Sequence, residues 1–309
     1  MIKKEDMIAI LQKELGEEKM RYETNLIESG VIDSLDIVSI IENDKFDINK
    51  FDNYISLLQE NKDIETIFID LDPTVIELRK EKYYIDNYLE RYLSYHTKYP
   101  DKSISEVIKC VNSNIDVPFY TNMKKTDMSK GYLILVNKYN LLDKNYSPKL
   151  TNMSNYGGGS LETKTAEAYK KMYEAAKKDN IKLVIVSPYR SYNTQQSLYN
   201  RYVNRDGKDK ADTYSARPGS SEHQTGMGVD INTASSGSNF QNTNEYKWLI
   251  ENSYKYGFIL RYPKGSEYIT GYKFEPWHYR YVGIEAATKI HDENITFEEY
   301  YAYYVLNNN

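Results

Sequence analysis

The stretch Ser221-Glu222-His223-Gln224-Thr225-Gly226-Met227-Gly228-Val229-Asp230-Ile231 sets a histidine seven residues before an aspartate, with two glycines between them. In a helix that spacing is nearly two turns and one face. Gly226 and Gly228 break a helix, and Val229-Asp230-Ile231 reads as strand. A loop that turns at Gly226 can fold His223 back beside Asp230. A second stretch, Glu275-Pro276-Trp277-His278-Tyr279-Arg280-Tyr281, again puts a histidine close to a carboxylate. The chain has only four histidines, His96, His223, His278 and His291, so any histidine-based metal site draws on this set. Two imidazoles and one carboxylate, with a fourth position open, suit zinc. With His223, Asp230 and His278 as ligands, Glu275 stays free as a general base, and Pro276 stiffens the segment that carries it. A histidine by itself is ordinarily a satisfied surface or core residue, which is how His96 and His291 read. The combination with Asp230 and Glu275 separates His223 and His278 from them.

A third stretch, Ser187-Pro188-Tyr189-Arg190-Ser191-Tyr192-Asn193-Thr194-Gln195-Gln196-Ser197-Leu198, follows an apolar run. Arg190 thus sits at a strand end, where site residues are common. Arginine grips a carboxylate with two hydrogen bonds, which an exopeptidase acting on a C-terminal residue needs.

Around these motifs, Ile181–Val186, Gly228–Ile231, Gly257–Arg261 and Trp277–Val282 read as strands, as does Leu133–Val136. Gly157-Gly158-Gly159-Ser160 reads as a flexible loop before a helix from about Glu162 to Lys178, with further helices over Asn242–Tyr254 and Ile284–Ile290. The pattern is that of an α+β domain. Residues 1–110 read as a helical N-terminal region, a spacer or partner-binding segment, with Leu35–Ile41 as an apolar stripe behind Asp33-Ser34. Within it, Phe51-Asp52-Asn53-Tyr54-Ile55-Ser56 is echoed by Leu89-Glu90-Arg91-Tyr92-Leu93-Ser94, 38 residues on. Two packed repeats or two unrelated amphipathic helices would both give this.

The chain has 309 residues, enough for one large or two ordinary domains. The net charge of −5 argues against a nucleic-acid binder, and the lone Cys110 excludes an intrachain disulfide or a cysteine-rich zinc module. No run approaches the roughly 20 apolar residues of a spanning helix. The 32 tyrosines against 8 phenylalanines suit half-wet grooves, although a genomic habit would give the same count.

The three motif stretches together resemble the zinc D-alanyl-D-alanine carboxypeptidases of the vancomycin-resistance type, with their relatives the D,D-dipeptidases and peptidoglycan L,D-carboxypeptidases. The family pattern SxHxxGxAxD is met by Ser221, His223, Gly226 and Asp230, with Gly228 in place of alanine. The later ExxH is met by Glu275 and His278, and the upstream YRS by Tyr189-Arg190-Ser191. The resemblance covers about residues 110–300. It implies a small antiparallel sheet flanked by helices, hedgehog-like, over 111–309. It also implies Zn2+ held by His223, Asp230 and His278, with Glu275 as catalytic base. Arg190 would stabilise the polarised carbonyl or anchor the substrate carboxylate, and Gln195 and Ser221 would contact the terminal D-residue. The smaller Gly228 puts the rigidity of the metal loop in question.

The expected function is removal of C-terminal D-Ala from peptidoglycan stem peptides by a monomer at the cell wall of a bacterium. L,D-cleavage of tetrapeptide stems and a non-catalytic peptide-binding zinc module are the alternatives. Leu26–Val38 also looks like the segment of acyl carrier proteins whose DSL serine carries phosphopantetheine, here Ser34, against a plain helix cap. That reading and the absence of an apolar stretch after Lys3-Lys4 give a cytoplasmic alternative.

Overall fold

A computed structural model describes residues 40, 43, 47–60, 62–234 and 239–306. Ser34 and the Leu35–Ile41 stripe, Ile40 apart, lie outside them. The chain divides into two units, Met1–Ser105 and Glu106–Asn309.

In the first unit, helices α1 (Phe51–Gln59), α2 (Ile64–Asp70), α3 (Pro73–Lys80) and α4 (Leu89–Lys98) follow one another. Asp63 caps α2 by accepting from Thr66 N at 2.9 Å, and Asp72 caps α3 by accepting from Thr74 N at 2.7 Å. Pro73 takes the first position of α3, where its missing N–H costs nothing. The echoed hexapeptides fall on α1 and α4, each preceded by a short 3₁₀ turn. Tyr54 and Tyr92 are buried at matching positions. Each hydroxyl accepts the backbone N–H seven residues upstream, from Asp47 and Ile85, at 3.2 Å in both cases. The same capping solution twice favours a repeated unit over two unrelated helices.

The second unit carries eight short strands among the described residues. Strands β1 (Lys124–Lys125) and β2 (Asn140–Leu141) pair in parallel, and β3 (Leu150–Asn152) and β4 (Ser160–Glu162) pair antiparallel. Strands β5 (Val184–Ser187), β6 (Gly228–Asn232), β7 (Phe258–Leu260) and β8 (His278–Tyr281) form an antiparallel sheet in the order β5-β6-β8-β7. Its helices include α5 (Thr163–Lys178), α6 (Tyr192–Asp206), α7 (Asn244–Asn252), α8 (Ile284–Glu293) and α9 (Phe297–Tyr300). Alternation along the strands sorts the side chains. Val229 and Ile231 of β6 and Tyr279 of β8 join Leu161, Ala166, Tyr169, Met172 and Leu249 in the main core. Asp230, His278 and Arg280, in the alternate positions, take the opposite face. One sheet therefore builds the core on one side and the site on the other.

Two expectations are corrected. Leu133–Val136 is not a strand, although Ile134, Leu135 and Val136 are buried. Its carbonyls are taken by side chains instead: Arg280 Nη2 donates to Ile134 O at 2.9 Å, and Thr126 Oγ1 donates to Leu135 O. Gly157–Gly159 is not a loose loop either. All three have positive φ, and a Cβ on Gly157 would fall 2.3 Å from Ile185 O. The glycines let the chain press onto the backbone of β5. Gly157→Ala is expected to cost about 2–4 kcal/mol, from clash plus strained φ. Gly158→Ala, at φ +124° but facing open space, should cost only about 1 kcal/mol. Denaturant melts of the two variants check this; equal losses would show that the close approach to Ile185 is immaterial.

Candidate metal centre and active site

His223 arrives on a 3₁₀ turn, Glu222–Thr225, that ends at Gly226 in the left-handed region, φ 68°. The chain then reverses into β6, the turn at Gly226 that the sequence allowed. Asp230 and His278 stand directly opposite one another in the β6–β8 ladder, so the pleat puts both side chains on one face. His278 Nδ1 lies 3.0 Å from Asp230 Oδ1, and His223 Nε2 lies 3.4 Å from the same oxygen. That oxygen is buried yet makes no hydrogen bond. One ligand atom from each of the three residues falls within 4.8 Å of the others. Two imidazole nitrogens and a carboxylate oxygen converging on one point suit a divalent cation with nitrogen and oxygen ligands.

The tautomer of His223 is fixed from behind. Its Nδ1 is 2.8 Å from Pro188 O, so Nδ1 carries the proton and Nε2 presents its lone pair to the cluster. Burial, helped by the Arg190 charge, pushes the His223 pKa down to about 4, so the ring is neutral. Burial also works against a charged His278, but the carboxylates of Asp230, Glu222 and Glu275 outweigh it and push its pKa up to about 9. Glu275 Oε2 lies 3.7 Å from His278 Nδ1. Burial pushes the Glu275 carboxyl up to about 7; His278 pulls against this and Asp230 adds to it. Asp230 is also buried, but the two histidines hold its carboxyl well below the usual range.

All seven expected site residues line one cavity of about 380 Å³: Arg190, Gln195, Ser221, His223, Asp230, Glu275 and His278. Arg190 Nε is buried without a hydrogen-bond partner. Its backbone N donates to His223 O at 3.2 Å, tying it to the metal turn. Gln195 is buried on α6 and donates to Ala216 O at 2.7 Å, which leaves its Oε1 without a partner. The turn at Gly228 has no slack: a Cβ there would already sit 3.2 Å from Glu222 Cβ and 3.3 Å from His223 N. Glycine at the family's alanine position therefore does not loosen the loop.

Sequence reasoning passed over the tyrosine and tryptophan walls of this cavity, among them Tyr202, Tyr214, Tyr262 and Trp277. It also gave no role to Glu222, beside His223, whose carboxylate lies 3.6 Å from the far nitrogen of His278. The signal was there, in charged residues set among apolar strand neighbours: Arg261 after Phe258-Ile259-Leu260, and Arg280 between tyrosines.

The family model for VanY, D-alanyl-D-alanine carboxypeptidase, matches residues 158–284, a span that holds every one of these site residues. A D-alanyl-D-alanine carboxypeptidase of Enterococcus faecalis (strain ATCC 700802 / V583) is 39% identical over 189 residues, 58% of this chain and 69% of that protein. The chain belongs to the VanY D-alanyl-D-alanine carboxypeptidase family. Two solved structures of VanY-like enzymes are also similar. The LdcB LD-carboxypeptidase shares 40% identity at a TM-score of 0.55, over 59% of this chain and 90% of that one. A Zn(II) complex of the vancomycin-resistance D,D-pentapeptidase VanY, an E-to-A variant from a VanB-type cassette, shares 40% identity at a TM-score of 0.50, over 55% of this chain and 98% of that one. The VanY-type fold, a small sheet with helices about it, is the one expected from the sequence.

Proposed function

We propose that the chain is a zinc-dependent D,D-carboxypeptidase that removes the terminal D-Ala from peptidoglycan stem peptides. The observation that carries this is the convergence of His223, Asp230 and His278 in one cavity that Glu275 and Arg190 also line, with the buried Nε of Arg190 left without a hydrogen-bond partner. Zinc is supported by this donor set and by the Zn(II) bound to the VanY relative. When bound, zinc supplies Lewis acidity, polarising a carbonyl and lowering the pKa of water toward 7.

The residues divide the remaining work. Arg190 offers its guanidinium to the substrate carboxylate or to the carbonyl oxygen as charge builds there. Ser221 and the free Oε1 of Gln195 face the cavity as contacts for the terminal residue. Glu275 takes a proton from the attacking water and delivers it to the leaving amine. Glu275 is suited to that transfer because its carboxylate lies beside the three converging donors without being one of them. Such substrates lie outside the cytoplasmic membrane, so we place the enzyme at the wall. No helix among the described residues is long and apolar enough to cross a membrane.

Zinc must displace the proton that His278 carries below about pH 9. Zinc loading at pH 7 is therefore expected to release about one proton or slightly more, the excess coming from Glu275. Affinity should rise with pH and level off above about 9. Calorimetry in buffers of different ionisation enthalpy measures this, and a proton count near zero would refute it.

The second reading is L,D-cleavage of tetrapeptide stems, favoured by the match to the LdcB LD-carboxypeptidase. Mass spectrometry of two synthetic stems decides. Loss of one residue from the peptide ending in D-Ala-D-Ala alone supports the D,D reading. Loss only from the stem ending in a single D-Ala moves the same site to the L,D reaction. No cleavage of either by zinc-loaded protein overturns both.

A further inference from the structure

Behind the metal cluster lies a group of four buried charges that the reaction does not use. Glu222, Arg261, Arg280 and Glu298 are each exposed by no more than 4%. Arg261 spans two carboxylates: its Nε donates to Glu222 Oε1 at 2.8 Å, and its two terminal nitrogens grip Glu298 at 2.8 and 2.6 Å. Arg280 Nη1 lies 3.0 Å from the same Glu222 Oε1, and its Nη2 is held by Tyr132 O and Ile134 O. Both arginines therefore converge on one oxygen of Glu222. The other oxygen, Oε2, makes no hydrogen bond, and neither does His278 Nε2, which faces it at 3.6 Å. Two orphaned buried polar atoms face each other across a gap that a shift of a few tenths of an ångström would close.

Buried ion groups of this kind seldom add stability over apolar packing, because desolvation offsets the attraction. Their placement calls for another reason, and the geometry supplies one. An imidazole that binds a metal through one nitrogen is oriented, and made a better donor, by a carboxylate on the other. We infer that Glu222 is a positioning residue for His278, and that Glu298 sets Glu222 through the fork of Arg261. This rests on the proposed role of His278 as a ligand. Glu298 sits on α9, beyond the segment 158–284 that the VanY family model matches, and through Arg261 it ties that helix to Glu222. With Glu298 present the four charges sum to zero. Without it, the excess positive charge draws on Glu222 and weakens its hold on His278.

The test is zinc affinity, by competition with a chromophoric chelator, on the full chain and on Glu222→Gln, Glu298→Gln and His278→Ala. Thermal melts of the metal-free proteins accompany it. Glu222→Gln is expected to weaken zinc by about 10- to 100-fold, the usual cost of losing an outer partner of a metal-bound histidine. Glu298→Gln, one step further out and nearly isosteric, should weaken it by about tenfold at most but measurably. It also serves if Glu222→Gln does not fold. In zinc-loaded wild type, nitrogen-15 spectra should show a slowly exchanging proton on His278 Nε2, with that protection reduced in Glu298→Gln. Unchanged zinc affinity and unchanged proton exchange in the folded variants, with only the melting temperature lowered, would reduce the group to a structural role and overturn the inference. Zinc retained by His278→Ala would instead overturn the ligand assignment beneath it.

Discussion

Glu275→Gln is expected to lower kcat by about 10³-fold or more while zinc stays bound. The glutamine keeps the shape and the backbone anchor, where Glu275 N donates to Tyr262 O at 3.2 Å. It removes only the ability to accept and return a proton. Glu275 is not one of the three residues whose ligand atoms converge, so its replacement is expected to leave all three donors in place. In the metal-free protein burial pushes its carboxyl up to about 7, in contrast to Asp230, which is held firmly ionised. Turnover of a D-Ala-D-Ala stem and zinc content by atomic absorption are the paired readouts. Retained turnover would require another base, and lost zinc would make Glu275 a ligand.

His223→Ala is expected to raise the zinc dissociation constant by about 10²- to 10³-fold and abolish turnover at limiting zinc. Structural zinc sites hold their metal by about 10–16 kcal/mol over four ligands, so one donor accounts for roughly 3 kcal/mol or more. His223 is the cleanest of the three proposed ligands to remove. It is neutral, its pKa pushed down to about 4, and His278 stays 3.0 Å from the Asp230 carboxylate when it is lost. The fold should survive, with the core on the opposite sheet face untouched. Chelator competition and a circular dichroism melt read the two effects separately. Zinc held as tightly as in the wild type would remove His223 from the site.

That the seven expected residues would come together was legible because they come in short, stiff pieces. A turn at Gly226 and a strand at Asp230 are local facts, and the ladder that sets Asp230 opposite His278 needs only the alternation of β6 and β8. The network behind it was not legible. Glu222, Arg261 and Glu298 lie 39 and 37 residues apart along the chain, and nothing local announces that they meet. Leu133–Val136 misled because an apolar run reports burial and not pairing, and its carbonyls bond to side chains. The glycine triplet misled because close approach and flexibility call for the same residue. Helix α6 escaped notice because it buries only Gln195 and Tyr199 and so shows no apolar stripe.

The acceptor that fixes His223 is the main-chain oxygen of Pro188. A carbonyl has no codon of its own. Point mutation at 188 keeps the oxygen, so substitution reaches the proton on His223 Nδ1 only by shifting the backbone. An insertion or deletion between β5 and α6 has no such protection, because it moves the oxygen itself. Heredity can therefore damage this contact through the length of the segment more readily than through its spelling.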